Sequence, residues 1–236
     1  MKIDVLTLFP EMFLGIINES IMKRAIERNL IDISIHNIRD FSKDPHKRVD
    51  DYSFGGGAGM VLMIQPIYDA IQHFKTKDSI VIMMTPQGSI YQQKTAYQLS
   101  KYKHIIILCG HYEGFDERIC SLVDMEISIG DYILTGGEIP ALALIDSIGR
   151  LIPGVIQKES SEQESFNNNL LDYPVYTKPV DFMGMKVPDV LLSGHHENIR
   201  KWRLEQQIKK TTSRRSDLLE KSWYCEKETL YCSKRK

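Results

Sequence analysis

Two short, uninterrupted apolar segments restrict the fold of this chain more than any other feature of the sequence. Residues 79–84 read SIVIMM and residues 105–109 read IIILC. Apolar runs of this length, without alternating polar residues, are typical of strands that are covered on both faces of a parallel sheet. Each run ends at a turn that contains proline or glycine, and a segment with helical spacing separates the two. The pattern predicts an α/β domain with a mostly parallel sheet.

The same alternation of strands and helices continues on both sides of these segments. Further strands are predicted over residues 3–9 and 31–35, and helices over 14–26, 66–74, 92–102, 139–151 and 195–210. The polar segment 157–172 is rich in Ser, Asn, Gln and Glu, which is typical of a linker. We therefore expect an α/β domain over 1–160, a flexible linker over 161–172 and a small helical domain over 173–236.

The net charge of −1 conceals a strong asymmetry along the chain. Residues 200–236 contain 12 Lys and Arg against 5 Asp and Glu, whereas residues 1–199 contain 18 against 26. A basic end on an acidic body suits a segment that approaches the phosphates of a nucleic acid. A solvated, lysine-rich helical tail has the same composition, so the charge alone leaves both interpretations open.

Several classes of protein are disfavoured by what the sequence lacks. No apolar run approaches the roughly eighteen residues that a membrane span needs, and residues 1–13 are too acidic for a signal peptide. The four cysteines form no C-x-x-C pair. We therefore expect a cytoplasmic protein with reduced thiols, no membrane association and no metal ligand set that can be named.

Three glycine-containing loops follow predicted strands, at residues 85–88, 110–114 and 128–138. Ligands of parallel sheets bind beside the loops at the carboxyl ends of the strands. Four glycines in these loops would let a small polar ligand lie against backbone N–H and C=O groups: Gly110, Gly130, Gly136 and Gly137. Glycines also simply end strands, and only the convergence of three such loops favours a ligand site.

Other motifs fail the tests for common active sites. The glycine-rich segment 55–60 lacks the Gly-Lys-Ser/Thr of a P-loop and the third glycine of a dinucleotide site, which disfavours an NAD-type oxidoreductase. His111 and Glu113 form a His-x-Glu pair, but no Pro-Cys-x-x-Cys follows, so a zinc deaminase is disfavoured. Ser128 and Ser165 lack the flanking glycines of a nucleophile elbow, which argues against proteases and esterases.

Five longer segments together resemble one known family. They are YSFGGGAGM (52–60), LCGHYEGFDERI (108–119), SIGDYILTGGEIPALALIDSIGRLIPGV (128–155), LLDYPVYTKP (170–179) and LLSGHHENIRKWR (191–203). In this order they look like the bacterial tRNA (guanine-N1-)-methyltransferases of the SPOUT class. The resemblance spans nearly the whole chain, and its longest segment is the most specific.

The resemblance implies both a fold and a reaction. It implies an α/β SPOUT domain with a deep C-terminal trefoil knot, joined by the flexible linker to a small helical tRNA-binding domain. It implies a homodimer with shared active sites, for which helix 14–26 and loop 39–60 are candidate interface elements. The expected reaction transfers a methyl group from S-adenosylmethionine to N1 of guanosine 37 in the anticodon stem-loop of tRNA, where another guanosine precedes it. A requirement for Mg²⁺ stays open.

Matching motifs assign the candidate site residues. The expected cofactor-binding residues are Met84, Thr85, Pro86, Gly110, Tyr112, Glu113, Ser128, Ile129, Gly130, Asp131, Tyr132, Ile133, Leu134, Gly136 and Gly137. The expected RNA-binding residues are Gly57, Ser165, Asp172, His196, Arg200 and Arg203. The resemblance makes Arg150 and Glu164 the expected catalytic residues.

The candidate base is also where this chain departs from the family. Members of the family typically have Glu-Asp-Ser-Phe where residues 163–166 read QESF, so Glu164 takes the place of an aspartate. We expect Glu164 to remove the proton from N1 and Arg150 to stabilise the charge that develops on O6. Glu162 is the alternative base.

Two other functions stay open at the level of sequence. A SPOUT enzyme could methylate another RNA position, such as a ribose 2′-OH, although segment 128–155 and Arg150 argue against this. The second alternative is an RNA-binding module without catalysis. Such a module would keep its affinity for tRNA in the absence of cofactor, and it has no need for three convergent glycine-containing loops.

Overall fold

A computed structural model describes residues 1–157 and 164–219 of the chain. The contacts divide the chain into two compact units, residues 1–157 and 158–236. The first unit contains the parallel sheet, and the described part of the second contains a short hairpin and two helices.

The first unit alternates strands and helices along the chain. Its strands are β1 (Lys2–Thr7), β2 (Asp32–Asn37), β3 (Asp50–Asp51), β4 (Val61–Leu62), β5 (Ser79–Ile90), β6 (His104–Cys109) and β7 (Met125–Ser128). Its α-helices are α1 (Leu14–Ile17), α2 (Ser20–Glu27), α3 (Ile64–Phe74), α4 (Gln93–Leu99) and α5 (Glu138–Gly149). Short 3₁₀ helices cover Pro10–Phe13, Ile38–Phe41 and Glu117–Leu122.

The second unit is built from shorter elements around one long helix. Its strands are β8 (Asp181–Phe182) and β9 (Met185–Lys186), its α-helices are α6 (Asp189–Leu192) and α7 (His196–Arg214), and its 3₁₀ turns cover Asn167–Asn169 and Ser216–Leu218. The two strands pair in antiparallel fashion as a hairpin. The predicted helix over 195–210 is therefore present and continues to Arg214.

Five strands form one sheet in the order β2-β1-β6-β5-β7, and every neighbouring pair is parallel. The prediction of an α/β fold with a parallel central sheet is confirmed. Side chains of successive residues point to opposite faces, so Val81 and Ile106 belong to one core cluster and Ile82 and Ile107 to the other. Both faces are covered, which explains why these strands contain no polar alternation.

Residues 86–88 interrupt β5 rather than end it, contrary to the prediction of a turn there. Met84 pairs with Ile127, the register then shifts, and Ser89 pairs with the same residue. A side chain at Gly88 would overlap the backbone of Glu126 and Ile127. The strand resumes because glycine lets the chain lie directly against β7, a contact that the local sequence does not reveal.

The predicted helix over 14–26 is also interrupted. Its residues form α1 and α2, separated by Asn18 and Glu19. The backbone of Glu19 is extended, and Ser20 has a φ of 52°, in the left-handed region. Such a conformation breaks the helical hydrogen-bond ladder, so the apolar spacing alone overestimated the length of the helix.

Asp4 in β1 is a fully buried carboxylate at the centre of a polar network. Its Oδ2 atom lies 2.8 Å from Lys2 Nζ and 2.7 Å from His104 Nε2, and its Oδ1 atom lies 2.8 Å from His36 Nε2. Burial alone would raise the pKa of the Asp4 carboxyl. The hydrogen bonds from Lys2, His36 and His104 outweigh this effect and hold that pKa below its ordinary value.

We expect Asp4→Asn to lower the free energy of unfolding at pH 7 by about 1–3 kcal/mol, because it weakens buried charge-assisted hydrogen bonds. A carboxyl with a depressed folded-state pKa contributes stability above its unfolded pKa of about 3.9 and loses it as the pH falls through the folded value. Urea denaturation between pH 7 and pH 3 should therefore show a smaller acid loss in the variant. An equal loss of unfolding free energy between pH 7 and pH 3 in Asp4→Asn and wild type contradicts this explanation. Asp32→Asn, at an exposed position of β2, is the control.

Candidate active site

Residues 84–86, at the irregularity within β5, and the loops that follow β6 and β7 meet at one edge of the sheet and enclose a cavity of about 300 Å³. This volume lies at the lower end of the range for small-molecule sites. Fourteen of the predicted cofactor residues line it: Met84, Thr85, Pro86, Gly110, Tyr112, Glu113, Ser128, Ile129, Gly130, Tyr132, Ile133, Leu134, Gly136 and Gly137. Asp131 was predicted with them but is not among the lining residues. The three loops therefore converge as the sequence indicated.

Glycines form the closest backbone contacts around this cavity. The N–H of Gly137 donates to the carbonyl of Gly110 at 2.8 Å. A Cβ atom at Gly137 would lie 2.7 Å from the backbone nitrogen of Gly110 and 2.8 Å from Cys109 Cα. A Cβ atom at Gly136 would overlap the Glu138 carboxylate and approach His111 Nδ1 at 2.7 Å. Side chains at these positions would displace the loops, so the shape of the cavity depends on the glycines.

The cavity also has lining residues that the sequence analysis did not assign to it: His111, Gly114, Phe115, Ile127, Thr135 and Pro140. The Nδ1 atom of His111 is buried and has no hydrogen-bond partner within the described residues. Its ring packs against Phe9, with the ring centroids 4.8 Å apart. In the sequence, His111 lies between Gly110 and Tyr112, which were both predicted to bind the cofactor. Its position between them was therefore the signal that could have assigned His111 to the cavity. A buried nitrogen in a cavity wall is a contact point for a polar ligand atom or a water molecule.

Glu138 and Cys109 lie beneath the cavity. Glu138 is buried at the first residue of α5, and its carboxylate accepts a hydrogen bond from the Thr7 hydroxyl at 2.7 Å. Burial raises the pKa of the Cys109 thiol well above its ordinary value, and the Glu138 carboxylate adds to this shift. The thiol stays protonated at neutral pH, which disfavours covalent catalysis through it.

The glycine-rich loop 52–60 reaches the cavity at its end. The N–H of Glu113, a cavity residue, donates to the carbonyl of Met60 at 3.0 Å, and Leu62 N–H donates to Gly114 at 2.9 Å. Gly57, predicted to contact RNA, lies in the exposed part of the loop. Phe54 in the same loop is fully exposed. The end of the loop is thus held beside the cavity, while its tip faces solvent.

We expect Gly59→Ala to weaken binding of S-adenosylmethionine, the cofactor that the resemblance implies, by about tenfold. A Cβ atom at Gly59 would lie 2.5 Å from the Cγ and Oε1 atoms of Glu113 and would push that cavity residue away. Gly56→Ala is a matched control, because Gly56 has nearly the same φ (81° against 79°) but open space around it. Calorimetric titration of both variants separates the contact from the backbone strain that they share. Equal affinities in the two variants would show that the contact with Glu113 is unimportant.

Arg150 lies far from the cavity of its own chain. It caps the carboxyl end of α5, whereas the cavity borders the amino end of this 12-residue helix. At 1.5 Å per residue the two ends are about 18 Å apart. A Cβ atom at the neighbouring Gly149 would meet Met22 and Ile31, which precedes β2. The carboxyl end of α5 therefore lies at the edge of the sheet opposite the cavity.

Glu164 and most of the predicted RNA-binding residues belong to the second unit. The Ser165 hydroxyl accepts a hydrogen bond from the N–H of Asp172 at 2.9 Å. His196 and Arg200 are exposed on α7, and the guanidinium of Arg203 lies 4.6 Å from the centre of the Tyr173 ring. The alternative base Glu162 lies outside the described residues. The second unit thus contains the predicted base Glu164 and a basic helix.

The described residues contain neither a candidate metal-binding cluster nor a helix suited to a membrane. In residues 1–157 and 164–219, no group of three or more His, Cys, Asp or Glu side chains is arranged to hold a metal ion. Over the same described part of the chain, no helix has the length and apolar character to cross a membrane.

Comparison with known proteins identifies the family. Residues 1–221 match the family model described as tRNA (Guanine-1)-methyltransferase TrmD. A tRNA (guanine-N(1)-)-methyltransferase of Clostridioides difficile (strain 630) is 59% identical over 228 residues, which cover 94% of this chain and 99% of the relative. The enzymes of the same name from Malacoplasma penetrans and Dictyoglomus turgidum are 61% and 52% identical, over 92% and 94% of this chain and 96% and 91% of the relatives. The chain belongs to the tRNA (guanine-N1-)-methyltransferase family, as its motifs predicted.

Proposed function

We propose that this chain transfers a methyl group from S-adenosylmethionine to N1 of guanosine 37 in tRNA, next to a preceding guanosine. The family match and the names of the relatives support the enzyme class. The observation that carries the proposal is the cavity, because fourteen of fifteen residues assigned to the cofactor by motif alone surround one space.

The residues around the cavity suit S-adenosylmethionine. Backbone groups near Gly110 and Gly137 offer donors and acceptors without charge, which fits the edge of an adenine ring. Apolar side chains such as Ile129 and Pro140 cover its faces, and the unpartnered His111 Nδ1 atom offers a further polar contact. The bound cofactor supplies an electrophilic methyl group, so the main task of the protein is to align that group with N1 of guanine.

Glu164 and Arg150 have distinct roles in the proposed mechanism. N1 of guanine carries a proton, and its lone pair is not free to attack until that proton leaves. The Glu164 carboxylate takes the proton, a role that contributes roughly 10²–10⁴ in rate. Negative charge then develops on O6, where the guanidinium of Arg150, which is always charged, donates hydrogen bonds.

The position of Arg150 supports a homodimer with shared active sites. The arginine lies at the end of α5 opposite the cavity of its own chain, so a second copy of the chain would bring its Arg150 to that cavity. Exposed apolar side chains on α5 and the first 3₁₀ helix offer a surface for this contact: Phe9 just before that 3₁₀ helix, Met12 within it, and Ile139 on α5. Sedimentation equilibrium of the full chain measures the association directly.

We extend the proposal to the deep trefoil knot that the family implies. Two backbone contacts support it: Gly137 packs against the end of β6, and Gly88 packs against β7. The segment between β7 and α5 thus lies against the end of β6 at Gly137, and β7 itself lies against the irregular part of β5 at Gly88. Knots are rare exceptions to the usual rules of chain connection. The chain segments of a knot pack closely, and glycine permits such backbone contacts because it has no side chain.

The RNA partner is proposed to be the anticodon stem-loop, bound in part by α7. This helix carries six Lys and Arg against two Glu. Basic side chains on one helix neutralise phosphates and position the RNA, whereas base contacts select the target. The target guanine must leave the stack of the loop to reach the cavity. We propose a cytoplasmic location, which a tRNA substrate supports.

The test is methyl transfer from labelled S-adenosylmethionine to tRNA transcripts, followed by identification of the methylated nucleoside. We expect N1-methylguanosine in a transcript with guanosines at positions 36 and 37, and none when position 37 is adenosine. Label in a ribose would instead indicate a SPOUT enzyme with another target. Tight binding of tRNA without cofactor, together with no transfer, would support the non-catalytic RNA-binding module.

A further inference from the structure

Thr211 is a fully buried polar residue of α7 to which the proposed mechanism assigns no role. Its hydroxyl donates to the carbonyl of Gln207, one helical turn earlier, at 2.7 Å. The same oxygen accepts the N–H of Leu171 at 2.9 Å, across 40 residues of chain. This hydrogen bond is partly buried, and an N–H group that is shielded from water and lacks an acceptor is unfavourable. Thr211 is therefore the group that lets Leu171 lie against the helix.

Two further contacts join the same stretch of chain to the same face of α7. Lys210 Nζ donates to the carbonyl of Asp172 at 3.0 Å. The guanidinium of Arg203 lies over the ring of Tyr173, 4.6 Å from its centre. Positions 203, 207, 210 and 211 follow the spacing of one helical face. Residues 171–173 are thus held on α7 at three successive positions.

The residues before this anchor form a closed loop. The N–H of Asp172 donates to the Ser165 hydroxyl at 2.9 Å, and the N–H of Phe166 donates to the carbonyl of Leu170 at 2.8 Å. Leu170 is buried. Because Ser165 is bonded to the residue that follows Leu171, a displacement of Leu171 from α7 also displaces Glu164, which directly precedes Ser165.

We propose that Thr211 is a positioning residue for methyl transfer. It holds the loop of residues 165–172 on α7 and thereby sets the position of the Glu164 carboxylate, an inference that rests on the role of Glu164 proposed above. As a consequence, α7 both binds RNA phosphates and holds the loop next to the general base Glu164. Placement of the base is then coupled to binding of the substrate, and an error of about 1 Å in such placement can reduce the rate roughly a hundredfold.

A pair of substitutions at Thr211 separates positioning from packing. Thr211→Val keeps the shape and the methyl group but removes the acceptor for Leu171, whereas Thr211→Ser keeps the hydroxyl and leaves a small void. We expect Thr211→Val to lower the single-turnover rate about 10- to 100-fold, with unchanged affinity for S-adenosylmethionine, and Thr211→Ser to retain most of the wild-type rate. A role in packing alone predicts the reverse order. Thr212→Val, on the exposed neighbour, is the matched control.

Amide hydrogen exchange and a double variant distinguish a positioning role of Thr211 from a packing role. Amide hydrogen exchange of residues 165–172 should rise in Thr211→Val and stay near wild type in Thr211→Ser, while circular dichroism verifies folding. In a Glu164→Gln background, Thr211→Val should have no further effect on the rate. A wild-type rate in Thr211→Val overturns the positioning role but not the proposed function. The positioning role is also overturned if Thr211→Val is slow while Glu164→Gln is fast. A wild-type protein that methylates no tRNA overturns the proposed function instead.

Discussion

Replacing Gly137 by alanine is expected to remove most of the affinity for S-adenosylmethionine and to lower the free energy of unfolding by about 1–3 kcal/mol. The backbone at Gly137 has φ −81° and ψ −3°, which any residue adopts, so the effect is purely steric. A Cβ atom there would lie 2.7 Å from the nitrogen of Gly110 and 2.8 Å from Cys109 Cα. Both atoms belong to the buried backbone around the end of β6, which cannot yield as a flexible side chain would.

The measurements for Gly137→Ala are thermal unfolding and calorimetric titration with S-adenosylmethionine. Gly15→Ala is the control, because a Cβ atom at Gly15 meets open space, its φ lies outside the left-handed region, and Gly15 does not line the cavity. We expect the control to retain the wild-type affinity for the cofactor. An unchanged affinity in Gly137→Ala would mean that the loops after β6 and β7 move apart without harm, and that the proposed cofactor site is misplaced.

Replacing Glu164 by glutamine is expected to reduce the rate of methyl transfer by roughly 10²–10⁴, with little change in the affinity for S-adenosylmethionine. The amide has nearly the same shape as the carboxylate but cannot accept the N1 proton. A single-turnover assay with a tRNA transcript isolates the chemical step from product release. The expected loss is therefore in the rate at saturating substrates.

Two further variants give this experiment its controls. Glu164→Asp restores the side chain that the family typically has at this position, and we expect it to keep a large part of the activity. Glu117→Gln removes an exposed carboxylate in the first unit and should leave the rate unchanged. A fast Glu164→Gln would exclude this residue as the base, and Glu162 would then be the next candidate.

The place of the cavity could be predicted from sequence to a large extent. The apolar runs at residues 79–84 and 105–109 indicated strands covered on both faces, and parallel strands place the loops after them at one edge. Glycines in those loops indicated close approach of the backbone. Asp131 was included because it stands within a matched motif, yet it does not line the cavity, since position in a motif does not determine the direction of a side chain.

Other features depend on contacts that a linear pattern does not encode. Pro86 and Gly88 are typical of a turn, and only the packing of Gly88 against β7 lets β5 continue to Ile90. The interruption of helix 14–26 at Glu19 and Ser20 was equally hidden, because the apolar spacing continues through it. In both places tertiary contacts or local backbone geometry override the local preference.

The sequence by itself determined the class of fold, the glycine-containing loops around the cavity and the family, because each is expressed in local patterns of apolar residues, glycines and motifs. Only the tertiary structure decided that Arg150 lies at the far end of α5 from the cavity of its own chain, and that Thr211 holds the loop beside Glu164. Residues 171 and 211 are 40 positions apart, and their hydrogen bond exists only because the chain folds back on α7. A hydrogen bond between residues so far apart produces no repeating pattern in the sequence. It can therefore be recognised only in the packed structure.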